Sequence, residues 1–169
     1  GKIYELDFEP FFQAAAMLYD GPWIAERHIT VDKIIEENPA ALHPVTRKVI
    51  ENALKFSATD TFKAQYRLQE LTIQIKEILN DIDMLCVPSV PKYFTLEDLR
   101  ADPIGLNTQL GTYTNFVNLL DLCAITVPTA MRQDNLPGSV TLIGKAGDDE
   151  RIASEAASLQ KHECATLGA

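Results

Sequence analysis

The sequence predicts a helix-rich α/β fold, and three observations carry that expectation. Two apolar runs, Asp83–Pro88 and Ala124–Pro128, each stop at a proline, as buried strands do. A long stretch ending near Asn80 places Leu68, Leu71, Ile75 and Ile78 at the spacing of one helix face. The 169 residues suffice to bury a core without staples, and the 3 cysteines make no disulfide framework. No repeat, low-complexity tract or linker divides the chain, so residues 1–169 read as one unit.

In chain order, Ile3–Asp7 reads as a short strand and Phe8–Tyr19 as an Ala-rich helix. Asp20-Gly21-Pro22 punctuates the chain, because Gly suits a helix stop and Pro suits the first turn of the next helix. That second helix should run from Pro22 to Glu37. Pro39 and Pro44 bracket a break, after which Thr46–Phe56 carries apolar residues at helical spacing. The long helix is expected to start with Thr59 or Asp60 as its cap, with Phe62, Tyr66 and Ile73 widening its apolar face. Between the two proline-stopped strands lies a long segment, Pro88–Asn107, with one helical turn expected from Thr95. Ser139–Gly144 reads as a third apolar strand, and Asp148-Asp149-Glu150 opens a last helix through His162, its acidic residues opposing the positive helix end. About four strands result, with Asp83–Pro88 and Ala124–Pro128 apolar enough to be central. A sheet this small leaves edges for something else to cover, and such edges predict self-association into a homo-oligomer when the chain is expressed alone.

Charge excludes several functions. The chain carries 15 Lys+Arg against 24 Asp+Glu, a net charge of −9, and neither half hides a basic patch. Nucleic acid and anionic membrane are therefore not expected partners, since both require clustered cations. No apolar run has the length of about 20 residues that a membrane span needs. The few cysteines and the absence of a signal-like start point to the cytoplasm. The chain begins at Gly1 without an initiator methionine, the expected mark of a piece of something longer.

The residues of catalysis are sparse. None of the five serines, Ser57, Ser89, Ser139, Ser154 and Ser158, sits in a nucleophile elbow or a Gly/Ser-rich loop. His28, His43 and His162 have no sequence partners marking a triad. Cys86 and Cys123 read as small buried hydrophobes, and His162-Glu163-Cys164 lacks two ligands of a tetrahedral metal site. One constellation stands apart: in Leu18–Arg27 a Gly-Pro corner sets Tyr19 at one helix end and Arg27 near the start of the next, so that both can converge. A guanidinium fork and a phenol together suit a carboxylate. The alternative is an Arg27 paired to a nearby acid and a Tyr19 packed in the core.

Four stretches carry a resemblance: Leu18–Arg27, His43-Pro44-Val45-Thr46-Arg47, Leu110–Leu122, and Leu136-Pro137 followed by Val140–Ile143. Together they resemble the allophanate hydrolases of the amidase-signature family, in order over residues 1–145, with 146–169 a terminal helix and tail. The resemblance implies the C-terminal portion of an α/β/α sandwich with a mixed sheet. It also implies hydrolysis of the terminal amide of allophanate in urea degradation, by a Ser nucleophile, a second Ser in a cis peptide and a Lys base. Those groups belong to the other half of the family's domain, in and before a Gly/Ser-rich signature; this chain has no Gly-Gly or Ser-Ser dipeptide. The carry-over therefore leaves no catalytic residue here. It gives Tyr19 and Arg27 as substrate-carboxylate ligands; Thr114, Asn115 and Asn118 either shape the core beside them or have a structural role, satisfying loop backbone groups. No metal or organic cofactor is implied, and the functional partner is a biotin-dependent urea carboxylase. Where the family has Gly-Leu-Pro-Phe-Gly-Val, this chain reads Asn135-Leu136-Pro137-Gly138-Ser139-Val140, and losing turn glycines predicts strain. Two other readings stay open: a non-catalytic interaction module, and a fragment of another amidase or amidotransferase.

Overall fold

The computed structural model describes residues 1–163. Cys164, and with it the His162-Glu163-Cys164 grouping, lies outside the described residues. Helix α1 spans Glu9–Asp20, α2 Ile24–Glu37, α3 Pro44–Glu51 and α4 Ala58–Asn80. Strand β1 (Leu85–Pro88) follows, then three short helices, α5 (Leu96–Ala101), α6 (Gly105–Leu110) and α7 (Phe116–Leu119). A hairpin of β2 (Cys123–Thr129) and β3 (Gly138–Gly144) leads to α8 (Asp149–Glu163). Single 3₁₀ turns at Pro39–Ala41 and Asn52–Lys55 flank α3.

The described strands form one sheet in the order β1-β3-β2, with both pairings antiparallel. Residues facing one another in register alternate between two layers. Leu85, Val87 and Ile143 enter the main core with Phe11, Ala14, Leu71, Ile75 and Phe116, so α1, α4 and α7 cover one face. Val127 and Leu142 pack with Ala156 and Leu159 of α8 on the other. The result is the expected α/β/α layering, built on a sheet that is only partly covered: Ala124, Thr126 and Cys86 are exposed.

Several expectations need correction. Ile3–Asp7 has no strand pairing among the described residues, because an extended segment becomes a strand only when a neighbour accepts its backbone bonds. Among the described residues three strands form rather than about four, and β3, not the two proline-stopped runs, is central; Pro88 and Pro128 sit on β1 and β2, the outer strands of the three. The pairings among the described residues are antiparallel; the mixed sheet that the resemblance implies is that of the whole domain, of which these strands are a part. The cap of α4 is Ser57, whose hydroxyl accepts from the Asp60 N–H at 3.2 Å while the Asp60 carboxylate accepts from the Ser57 N–H at 2.9 Å. Phe62, Tyr66 and Ile73 do not widen a buried face: they are 57%, 60% and 62% exposed, while Leu71, Ile75 and Leu79 are buried. Cys86 is exposed, since the strand's alternation turns Leu85 and Val87 inward and Cys86 outward. The helical turn expected at Thr95 is α5, closed by a second Thr95–Asp98 capping box.

Candidate functional site

The placement of Tyr19 begins with an aromatic cluster. Phe8, Phe11, Phe12, Tyr113 and Phe116 stack edge and face, with ring centroids 4.6 Å apart for Phe8 and Phe11 and 5.1 Å for Phe11 and Phe116. Such pairs add to the burial of the rings themselves and fix α1 against α7. Tyr19, in the last turn of α1, is thereby held by the main core and left half-buried.

Arg27 arrives from the other side of a tight corner. The Gly21 N–H closes α1 on the Met17 carbonyl at 3.1 Å, Pro22 is buried, and the first α2 bonds run from Ala25 to Pro22 and from Glu26 to Trp23. Gly21 is extended (φ −110°, ψ 178°), so its requirement is space rather than an unusual torsion: a Cβ there would lie 2.5 Å from the Met17 carbonyl oxygen. The corner sets the Arg27 guanidinium over the Tyr19 ring, 5.0 Å from its centroid.

That guanidinium has no carboxylate partner among the described residues. Arg47, Arg67, Arg132 and Arg151 each hold one, the last at 2.6 Å on Asp148. Arg27 instead lies in the first turn of α2, where the positive end of the helix dipole disfavours a cation and favours an anion beside it. The Tyr19 hydroxyl likewise has no hydrogen-bond partner among the described residues. Neither half of the bland alternative holds: Arg27 is not neutralised, and Tyr19 is not sealed in the core. A guanidinium without an acid and a phenol without a partner are groups whose chemistry suits a planar anion.

The remaining sequence candidates fall elsewhere. His43 caps α3 in position only, without a side-chain bond, and Arg47 pairs with Glu51 at 3.6 Å. Thr114 and Asn115 form a backbone turn on the Gly111 carbonyl, Phe116 beside them is fully buried, and Asn118 faces solvent. The side chains of Thr114, Asn115 and Asn118 make no hydrogen bond among the described residues, so none of them satisfies a loop backbone group there. Partial desolvation raises the Cys86 thiol above its ordinary range, which disfavours the reactive thiolate. Cys123 donates to the Lys145 carbonyl at 3.1 Å. No group of three His, Cys, Asp or Glu able to hold a metal lies among the described residues.

One feature escaped the sequence reading, and a second was foreseen only in part. A row of hydroxyls crosses the sheet: Thr141, 3% exposed, donates to the Ser89 hydroxyl at 2.9 Å and lies 3.0 Å from the Thr126 hydroxyl. Since Thr141 spends its proton on Ser89, Thr126 must donate to Thr141. The signal was the register, which pairs Thr126 with Thr141 and becomes readable only once the hairpin is known. The second feature is Asn135, which stands where the resemblance expects glycine and adopts φ 60°. Asn tolerates this left-handed region better than most side chains, so the expected strain is localised there and reduced.

Comparison with known proteins bears on this geometry. The urea amidolyases of Saccharomyces cerevisiae and Lachancea kluyveri are 40% and 42% identical over 150 residues, 88% of this chain but 8% of each relative. The solved allophanate hydrolase of Kluyveromyces lactis superposes with a TM-score of 0.87 at 40% identity, over 94% of this chain and 27% of that one. The chain thus spans about a quarter of that enzyme and under a tenth of the amidolyases. The Amidase family profile matches residues 11–153, taking in the corner, the hydroxyl row and all three strands, and on that extent this chain belongs to the amidase family.

Proposed function

We propose that the chain is the substrate-carboxylate-binding portion of an allophanate hydrolase, acting in urea degradation. The single observation that carries this reading is the Arg27 guanidinium, without a carboxylate partner among the described residues, held over the Tyr19 ring across the Gly21-Pro22 corner. Similarity to urea amidolyases and to an allophanate hydrolase supports the choice of allophanate, a small planar molecule with a carboxylate at one end and an amide at the other. Arg27 and Tyr19 grip the carboxylate, which leaves the terminal carbonyl to face a nucleophile outside these 169 residues. Following the resemblance, that nucleophile is a serine. Its oxygen adds to the terminal carbonyl, the C–N bond breaks, ammonia leaves, and water then cleaves the acyl-enzyme.

The same reading accounts for the uncovered surface. Phe62, Tyr66 and Ile73 on α4, together with the outer edges of β1 and β2, are where the rest of an amidase domain would pack. These residues act as the C-terminal portion of that domain. The functional partner is a biotin-dependent urea carboxylase supplying allophanate, the compartment is the cytoplasm, and the isolated chain is inactive and self-associates.

A chimera tests the proposal. This chain replaces the matching region of the Kluyveromyces lactis allophanate hydrolase, and ammonia release from allophanate is followed. Turnover within about tenfold of the parent supports the reading. A folded chimera that binds no allophanate overturns it.

A further inference from the structure

We infer that this chain on its own pairs as a two-fold dimer through the outer face of α4, the two helices antiparallel and set so that Phe62 of one copy meets Ile73 of the other. In a whole amidase domain the rest of the domain would pack there; in the lone chain a second copy takes that place, whether or not Arg27 binds a carboxylate.

The outer face of α4 is patterned for one helical neighbour. Within the chain α4 packs chiefly on α1, and its buried residues Leu71, Ile75 and Leu79 all belong to the main core. Opposite them Phe62, Tyr66, Gln69 and Ile73 follow at spacings of four, three and four residues, the seam of a two-helix contact. Phe62, Tyr66 and Ile73 are each more than half exposed, and the Phe62 and Tyr66 rings lie 6.5 Å apart, so the patch is continuous at that end.

Charge sets direction and register. Lys63 and Glu70 lie on the same flank of this seam, and in an antiparallel pair each flank faces its own copy. The offset that puts Phe62 on Ile73 and Tyr66 on Gln69 therefore brings Lys63 of each copy to Glu70 of the other, and the two-fold axis repeats the ion pair. Lys63 makes no salt bridge among the described residues, and Glu70 spends only one carboxylate oxygen on Arg67, at 2.9 Å. The other flank sets Gln65 against Thr72, both uncharged. Sliding one heptad along would place Phe62 on Asn80 and the two Glu70 carboxylates together at the axis. A parallel pair would set Glu70 beside Gln65 and leave Lys63 without an acid. Only the first arrangement matches apolar to apolar and acid to base.

Size sets the strength. At about 200 Å² for a whole large side chain, the exposed parts of Phe62, Tyr66 and Ile73 offer roughly 350 Å² per copy. With the flanking stems, the pair buries on the order of 1,000 Å², the lower end for a specific interface, so the dimer is reversible.

Sedimentation velocity on the 169-residue chain in reducing buffer, from about 1 to 200 μM, tests this, because contacts of that size dissociate in the micromolar range. A monomer–dimer equilibrium is expected. Ile73→Asp should hold the chain monomeric at every concentration with unchanged far-UV dichroism. Lys63→Glu and Glu70→Lys should each weaken the dimer at least about fivefold, and the two together should restore the native dissociation constant to within about twofold. Loss of stability cannot produce that restoration, so the reversed pair decides the register even where a single variant folds poorly. A native chain that stays monomeric, oligomers that a folded Ile73→Asp chain retains, or a reversed pair that fails to restore the dimer overturns the inference.

Discussion

Replacing Gly21 by alanine should open the corner that brings Tyr19 and Arg27 together. A Cβ on Gly21 would sit 2.5 Å from the Met17 carbonyl oxygen and 3.3 Å from the Trp23 ring. A carbon and a carbonyl oxygen rest at about 3.3 Å or more, so one of them must retreat by roughly 0.8 Å. Met17 oxygen is backbone and accepts the last bond of α1, so the relief comes from the corner itself. Overpacking of this kind costs about 1–3 kcal/mol, and the weakened helix bond adds up to about 1 kcal/mol. Restricting the unfolded chain returns about 0.4–1 kcal/mol. The net is about 2 kcal/mol of lost stability, within bounds of roughly 0 and 4 kcal/mol, read as a lower urea midpoint. Trp23, the one tryptophan in the sequence, adjoins the corner and reports locally: its emission should shift in native buffer. Gly21→Ala with the wild-type midpoint and wild-type emission would refute the claim that the corner depends on a missing side chain.

Three further outcomes follow from named contacts. Thr141→Val keeps the shape but removes both hydroxyl contacts, and because Ser89 and Thr126 reach solvent the loss should be about 1–2 kcal/mol in urea melts, with an unchanged denaturant slope. Asn135→Ala should cost about 1 kcal/mol through its left-handed backbone, while Asn135→Gly should be near neutral; equal midpoints for the two would contradict the strain. Arg151 donates to Asp148 and holds its carboxyl below the ordinary aspartate range, with the Lys145 N–H adding to the effect. A carboxyl depressed on folding stabilises fully above its unfolded value near 4 and loses that contribution as pH falls through the lower folded value. Thermal melts between pH 6 and 3 should therefore fall more steeply for the native chain than for Asp148→Asn.

What the sequence made legible was local. Helices α1, α2 and α4 follow from periodicity and from the Gly21-Pro22 break, and the spacing of Tyr19 and Arg27 across that break was enough to suggest convergence. Strand order was not legible, because β1, β2 and β3 are similarly apolar and centrality depends on which strand finds two partners. The Ile3–Asp7 expectation failed for the same reason, since strand pairing is non-local. Ser57 could have been found: Ser57 followed three positions later by Asp60 is a capping-box spacing, which the neighbouring cap formers Thr59 and Asp60 obscured. The state of Arg27 depended on where every acidic side chain ends up. The composition, with 24 acidic residues, made a neutralising partner the natural expectation, and only the folded arrangement shows it absent among the described residues.

The steady-state kinetics of Arg27→Gln in the chimeric allophanate hydrolase test the central claim most directly. A charged bidentate hydrogen bond contributes about 1.5–3 kcal/mol, so its removal should raise KM for allophanate by roughly 10- to 150-fold with kcat changed far less. A KM within twofold of the unsubstituted chimera would contradict the assignment of Arg27 to the substrate carboxylate.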